Sequence, residues 1–182
     1  MTRIAYFDCP SGISGDMTLG ALLDAGADPA LLERTVTALG LGAEVAVTHH
    51  HGERGHLGGI KVDVAYDHSG PARAVPELLR VVREAPLPER VRERALQAIT
   101  RIGDVESRVH GRPLEEVHLH ELGGADALVD LVGSFWLLES LAVDAVYAGS
   151  LPAPQAPYSA PATLRILAGS GAELVPDRRS AE

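Results

Sequence analysis

The chain has 182 residues, of which 46% are hydrophobic and only 4% aromatic, with a formal net charge of −9 and a single cysteine. This composition suits a globular protein with an aliphatic core, and no apolar run approaches the roughly 20 residues of a membrane span. The negative charge argues against nucleic acid and anionic membranes as partners. One cysteine excludes an intrachain disulfide, so we expect a cytoplasmic protein.

Hydrophobic periodicity and turn residues predict short strands that alternate with helices. Strands are predicted at 3–8, 43–48, 60–65, 114–120 and 145–148. Helices are predicted at 17–25, 29–39, 77–84, 89–110, 126–141 and 162–168. The alternation indicates an α/β fold, with α+β left open, in one compact domain at 1–177 followed by a polar tail at 178–182.

A turn-rich segment connects the first predicted strand to the first predicted helix. Its polar and glycine residues are Asp8, Ser11, Gly12, Ser14, Gly15 and Asp16. Because backbone N–H groups at a helix start attract anions, the segment is a candidate for binding an anion. Asp8 and Asp16 could instead hold a divalent cation. An ordinary strand-to-helix turn, with Ser14 or Asp16 as the N-cap, also accounts for the pattern.

The segment from His118 to Asp130 is rich in side chains that bind metals. On an extended chain His118 and His120 share a face, because side chains alternate across a strand. The glycine pair at 123–124 allows a sharp turn, after which Asp126 and Asp130 lie one turn apart on one helix face. Two imidazoles and two carboxylates directed at one point suit nickel, zinc, cobalt or iron(II).

Two features of this segment leave alternatives open. Glu121 points to the other face of a regular strand, so it joins the site only if the turn has begun there. The histidines could be a surface pair, and the two aspartates could simply complement the positive end of a helix dipole.

A second histidine group lies upstream, with four histidines within eight residues from His49 to His56. On a strand His49 and His51 share a face and could bind a metal ion, and His56 could return across a turn. The alternative is a solvated hairpin loop with no ligand.

Several longer blocks resemble one family. They are residues 6–17, with Pro10 where an aromatic residue is usual, then 109–111, 117–121, 125–133 and 160–163. These blocks resemble the LarC family, whose members insert nickel into a nucleotide to make the nickel-pincer cofactor of lactate racemase. The resemblance implies a cyclometallase reaction on pyridinium-3,5-bisthiocarboxylate mononucleotide, accompanied by hydrolysis of CTP with Mg²⁺ or Mn²⁺.

The resemblance and the ligand chemistry together give candidate roles. The metal-binding candidates are His118, His120, Asp126, Asp130, His49 and His51. Glu121 and Asp130 are the candidates for catalysis. The nucleotide would contact Asp8, Ser11, Gly12, Ser14, Gly15 and Asp16.

The sequence also departs from the family pattern. Residues 67–71 stand where a long histidine-rich insert is usual, and 151–157 are too few for a glycine-rich loop with a His-Gly element. The CTP-using C-terminal domain is expected elsewhere, so a separate C-terminal LarC chain is a candidate partner. The alternatives are a nickel-binding or scaffolding module without turnover, and an unrelated metal-dependent hydrolase. A homo-oligomer is left open.

Overall fold

The structure is a computed structural model that describes residues 2–54, 56–66, 73–119, 123–153 and 161–176. The strands within these ranges are β1 (Ile4–Phe7), β2 (Val45–Arg54), β3 (Leu57–Tyr66), β4 (Ala145–Ala148), β5 (Leu151–Pro152) and β6 (Leu174–Val175). The helices are α1 (Gly15–Asp24), α2 (Ala30–Ala38), α3 (Val75–Glu84), α4 (Glu89–His110), α5 (Ala125–Ser140) and α6 (Pro161–Ala168). None of the helices in these ranges is long and apolar enough to cross a membrane.

The chain forms two compact units. The helical unit is Ser14–Ala142, and the terminal unit combines Met1–Ile13 with Val143–Glu182. The predicted α/β class is confirmed by these elements. Residues 177–182 lie outside the described residues, so the boundary between a domain and a tail at residue 177 stays a prediction.

Helix α5 is the centre of the helical unit, where it packs against α1, α2 and α4. It is apolar on most of its surface, and Leu128, Val129, Val132 and Leu137 are at most 2% exposed. A helix that is hydrophobic nearly all round is stable only when neighbours cover it. Each such buried aliphatic side chain contributes about 1.5–3 kcal/mol to folding.

Strands β2 and β3 form an antiparallel hairpin in the helical unit, with His49 opposite Val62 and His51 opposite Ile60. Both strands are longer than the sequence predicted. The alternative of a loop is therefore wrong, because residues 49–51 lie within β2, although these histidines are solvent-exposed as that alternative expected. Polar residues are typical of loops, but solvent-exposed positions of an antiparallel hairpin also carry them.

Helix α1 packs closely on β3 because Gly20 has no side chain. A Cβ at Gly20 would lie 2.3 Å from the backbone oxygen of Ile60. Since a backbone atom cannot rotate away, Gly20→Ala is expected to lower the free energy of unfolding by about 2 kcal/mol. Urea denaturation checks this, with Gly52→Ala as control, because a Cβ there meets nothing within 4 Å. Equal stability of the two variants would contradict the packing argument.

The segment before α5 is only partly extended. Residues Leu114–Glu116 form one turn of 3-10 helix, so the predicted strand from residue 114 was wrong at its start. Pro113 precedes the turn, and its carbonyl accepts a hydrogen bond from the Glu116 N–H. Further on, the Val75 N–H donates to the Val117 carbonyl at 3.1 Å, and His118 pairs with Ala74.

The terminal unit contains two parallel strand pairs. Strand β1 pairs with β4, from Ile4 opposite Ala145 to Phe7 opposite Ala148, and β5 pairs with β6. The predictions for β1, β4 and α6 are confirmed. Strands β5 and β6 were not predicted, because two-residue strands carry no alternation that a sequence can show.

Candidate active site

The N-terminal ends of α1 and α5 bring three carboxylates together inside the helical unit. Asp16 lies in the first turn of α1, and Asp126 in the first turn of α5. Asp130 follows one turn later on α5 and is close enough to both for their charges to act on its carboxyl group. We call Asp16, Asp126 and Asp130 the acidic cluster. It confirms that Asp126 and Asp130 share a helix face.

Two glycines leave the space that the carboxylates occupy. A Cβ at Gly15 would lie 2.1 Å from Asp130 Oδ2, and a Cβ at Gly124 would lie 2.2 Å from Asp126 Oδ1. The ring of Tyr66 lies on the same side, with Cε1 3.4 Å from that second position. The sequence singled out Gly124 only as a turn residue and did not indicate Tyr66 at all.

Asp130 is the most perturbed carboxyl group of the cluster. Burial raises its pKa to about 6, and the negative charges of Asp126 and Asp16 add to the effect. Its Oδ1 is buried and has no hydrogen-bond partner among the described residues. An unsatisfied buried oxygen is costly, so this position favours either a proton or a bound cation.

The acidic cluster and His118 do not form a complete metal site. Within the described ranges, which omit 120–122, no three histidine, cysteine, aspartate or glutamate side chains are already arranged to hold a metal ion. Oxygen donors at this cluster suit a divalent cation once nitrogen donors complete the set. His120 and Glu121 lie outside the described residues, so their predicted roles stay predictions.

Side-chain burial alternates along residues 117–119, as predicted for the extended segment that carries His118. Val117 and Leu119 are each 2% exposed, whereas the side chain of His118 between them is exposed. The Gly123 N–H donates to the Leu119 carbonyl, and the Arg73 N–H donates to the Gly123 carbonyl at 3.2 Å. These backbone hydrogen bonds hold Leu119, Gly123 and Arg73 together.

The upstream histidines lie on both faces of the hairpin. The register places His49 and His51 on the face that carries the buried Val62, as alternation predicts. His50 lies on the other face, with Nδ1 3.6 Å from Asp63 Oδ2. Metal binding by His49 and His51 stays a prediction.

His56 follows the strand at the turn of the hairpin. Its Nδ1 is 3.7 Å from Glu53 Oε1, and both side chains are exposed. The described contact of His56 is therefore with the carboxylate of Glu53, near the end of β2.

The predicted nucleotide loop is divided between the two units. Asp8, Ser11 and Gly12 belong to the terminal unit, where the Gly12 N–H donates to the Cys9 carbonyl at 3.1 Å. Burial raises the pKa of the Cys9 thiol, and the charge of Asp8 raises it further. A common pocket for this loop stays a prediction.

The other half of that loop opens the helical unit. Ser14 is the N-cap of α1, but its hydroxyl donates to the Asp16 carboxylate rather than accepting from a backbone N–H. The helix start therefore holds Asp16 in place by a side-chain hydrogen bond. Gly15 lies against Asp130, so Ser14 and Gly15 border the acidic cluster, to which Asp16 itself belongs.

Comparison with known proteins adds independent information. Residues 5–180 match the family described as nickel insertion protein. Two relatives, both provisionally named nickel insertion proteins, come from Desulfotalea psychrophila (42% identical, 93% of this chain and 46% of the relative) and Thermomicrobium roseum (42%, 96% and 45%). A third, from Desulfitobacterium hafniense, is named pyridinium-3,5-bisthiocarboxylic acid mononucleotide nickel insertion protein (36%, 92% and 44%).

The extent of these matches defines what they establish. The chain spans just under half the length of these relatives. No solved structure matches it. The match nevertheless covers nearly all of this chain. The resemblance expected from the sequence motifs is thereby confirmed, and the chain belongs to the nickel insertion protein family.

Proposed function

We propose that this chain carries the nickel-handling site of a protein that inserts Ni²⁺ into pyridinium-3,5-bisthiocarboxylic acid mononucleotide. The Desulfitobacterium hafniense relative bears that activity in its name. The observation that carries the proposal is the acidic cluster, in which a buried Asp130 oxygen has no hydrogen-bond partner among the described residues and the charges of two further carboxylates act on the same group. A cation would neutralise this arrangement. The product would be the nickel-pincer cofactor of lactate racemase.

Nickel is the cargo of this reaction and must be released again. We assign Asp126 and Asp130 as carboxylate ligands, with His118 and His120 as imidazole ligands. Sulfur donors on the acceptor nucleotide are softer than oxygen or imidazole and bind Ni²⁺ more firmly. A moderately stable protein site therefore allows the metal to move to the nucleotide. His49 and His51 would form an outer collecting pair.

The insertion also needs a base. Forming a bond between nickel and a ring carbon replaces a C–H bond, so one proton must leave the pyridinium ring. Without a bound cation the pKa of Asp130 is raised to about 6, so its carboxylate can accept this proton near neutral pH only when it does not coordinate the metal. Glu121 is the second candidate for the base. CTP with Mg²⁺ or Mn²⁺ stays an implication of the resemblance, and we assign no described residue to it.

The histidine assignment makes a comparative prediction. His120→Ala is expected to weaken Ni²⁺ binding by about ten-fold or more, whereas His51→Ala changes it by less than about three-fold. The reason is that His120 is assigned to the nickel site beside the acidic cluster, whereas His51 lies on the exposed strand β2. Calorimetric titration of the metal-free chain measures both. Equal losses would contradict the assignment of His120.

A nickel-binding module without turnover is the alternative. Mixing the nickel-loaded chain with the precursor nucleotide separates the two functions. Transfer of nickel to the nucleotide, detected by mass spectrometry of the small molecule, supports insertion. Nickel that stays on the protein under all conditions, including added CTP and Mg²⁺, supports the module.

A further inference from the structure

The terminal unit buries few hydrophobic side chains. Among its described residues, only Cys9, Val143 and Ala162 are buried and hydrophobic, whereas every helix from α1 to α5 in the helical unit has buried aliphatic residues. Apart from Met17 and Leu57, all exposed large hydrophobic side chains in the described ranges belong to the terminal unit. Because conformational entropy opposes folding, a unit with so small a core needs further burial to be stable.

One face of the β1–β4 sheet carries three of these exposed side chains. The register pairs Ile4 with Ala145 and Tyr6 with Tyr147, and paired or alternate residues of neighbouring strands share a face. Ile4, Tyr6 and Tyr147 are 58%, 64% and 58% exposed. We call the face formed by these four residues the tyrosine face. Single exposed apolar residues are ordinary, but three together on one sheet face indicate an interaction surface.

The same sheet has open edges. Within the part of the chain that the structure describes, β1 and β4 pair only with each other, so the outer edge of each has no neighbouring strand. Parallel sheets are normally covered on both faces, and two strands alone are marginally stable. A parallel pair with an exposed apolar face and open edges can therefore accept both an added strand and a cover.

The chemistry of the tyrosine face and the length of the relatives indicate what covers it. None of its four strand positions carries a charge, so the face suits the apolar side of a protein and not a metal ion or a nucleotide. The chain spans just under half of the relatives from Desulfotalea psychrophila and Thermomicrobium roseum, so more than half of each lies outside the match. That unmatched part is long enough to supply both a strand and a covering layer.

We propose that the β1–β4 sheet is the docking surface for the part of the family's proteins that this chain does not match. The docked polypeptide adds a strand at an outer edge of the sheet and covers the tyrosine face with aliphatic side chains. This inference rests on family membership and on the exposed sheet. It does not depend on the nickel-insertion function proposed above.

A chimeric protein tests the docking surface. In the chimera this chain replaces the matched segment of the Desulfotalea psychrophila relative, so the rest of that relative stays covalently attached. Hydrogen exchange read by mass spectrometry compares the chimera with the 182-residue chain. Amides of β1 and β4 should exchange about ten-fold or more slowly in the chimera, because strand pairing and burial protect them. Helix α5 should stay protected in both proteins, which shows that the helical unit is folded.

Two variants of the chimera locate the contact. Ile4→Ser with Tyr147→Ser should bring the exchange of β1 and β4 to within about three-fold of the rate in the 182-residue chain, because the apolar contact is lost. Leu57→Ser is the matched control, because Leu57 is a 78% exposed leucine in the helical unit. The control should keep the protection. All three side chains are exposed in the chain, so its folding is expected to survive the substitutions.

Three results would overturn the proposal. The first is equal exchange of β1 and β4 in the chimera and the 182-residue chain. The second is protection that the double variant retains. The third is protection in the 182-residue chain that rises with its concentration, because a second copy would then cover the face. If α5 is unprotected in the chimera, the chain is co-expressed with the unmatched part of the relative as a separate polypeptide, and failure of the two to copurify overturns the proposal.

Discussion

Asp130→Asn is expected to stabilise the chain at pH 7.5 by about 1–2 kcal/mol while it weakens Ni²⁺ binding by about ten-fold or more. The folded state raises the pKa of this carboxyl to about 6. A raised carboxyl pKa means that folding favours the protonated form. The wild type is therefore relatively most stable below about pH 4, and it loses that contribution as the pH rises through about 6. Asparagine stays neutral and avoids the loss.

Urea denaturation at pH 4 and pH 7.5 checks the stability effect. At pH 4 the wild type and Asp130→Asn should agree, and at pH 7.5 the variant should be more stable. Asp104→Asn is the control, because Asp104 is an exposed aspartate on α4 and not part of the cluster. A gain of the same size at both pH values, or a loss at pH 7.5, would contradict the electrostatic account. A site residue whose removal stabilises the fold is typical of function rather than structure.

Gly15→Ala is expected to displace the Asp130 carboxylate and to weaken Ni²⁺ binding by about ten-fold or more. The new Cβ would lie 2.1 Å from Oδ2 and 2.6 Å from Cβ of Asp130. Rotation of the aspartate relieves the first contact but not the second, so the helices must also shift. The free energy of unfolding should fall by about 1–2 kcal/mol, because overpacking outweighs the gain in helix propensity.

A second glycine variant separates nickel binding from stability. Gly20→Ala disturbs the packing of α1 on β3 through the backbone oxygen of Ile60, which is not a ligand candidate. It should lower stability by a comparable amount, while the folded fraction still binds Ni²⁺ normally. Calorimetry at a temperature where both variants are folded measures the difference. Wild-type nickel affinity in Gly15→Ala would exclude Asp130 from the site.

Strong local patterns explain which elements could be predicted. Local chemistry fixes several helices. Helix α5 has a long apolar run, Pro86 and Pro88 separate α3 from α4, and Gly111 ends α4. These helices are confirmed. The turn at Leu114–Glu116 was missed because three residues of 3-10 helix leave no period.

The candidate site was predictable only in part, for a physical reason. Spacing along one helix places Asp126 and Asp130 together, and the structure confirms it. Asp16 was assigned to a phosphate loop, yet the packing of α1 against α5 brings it to the acidic cluster. Contacts between distant elements are set by the tertiary fold, which one sequence does not display.

Calorimetric titration of Ni²⁺ into the metal-free chain shows directly whether the acidic cluster binds the metal. It compares the wild type with Asp126→Asn plus Asp130→Asn, and with His49→Ala plus His51→Ala, each with and without the precursor nucleotide. We expect one nickel site, whose Ni²⁺ affinity rises when the nucleotide is present. The aspartate variant should bind Ni²⁺ about ten-fold more weakly or worse, and the histidine variant should keep the wild-type affinity. Nickel binding that ignores the nucleotide and disappears only in the histidine variant would contradict it.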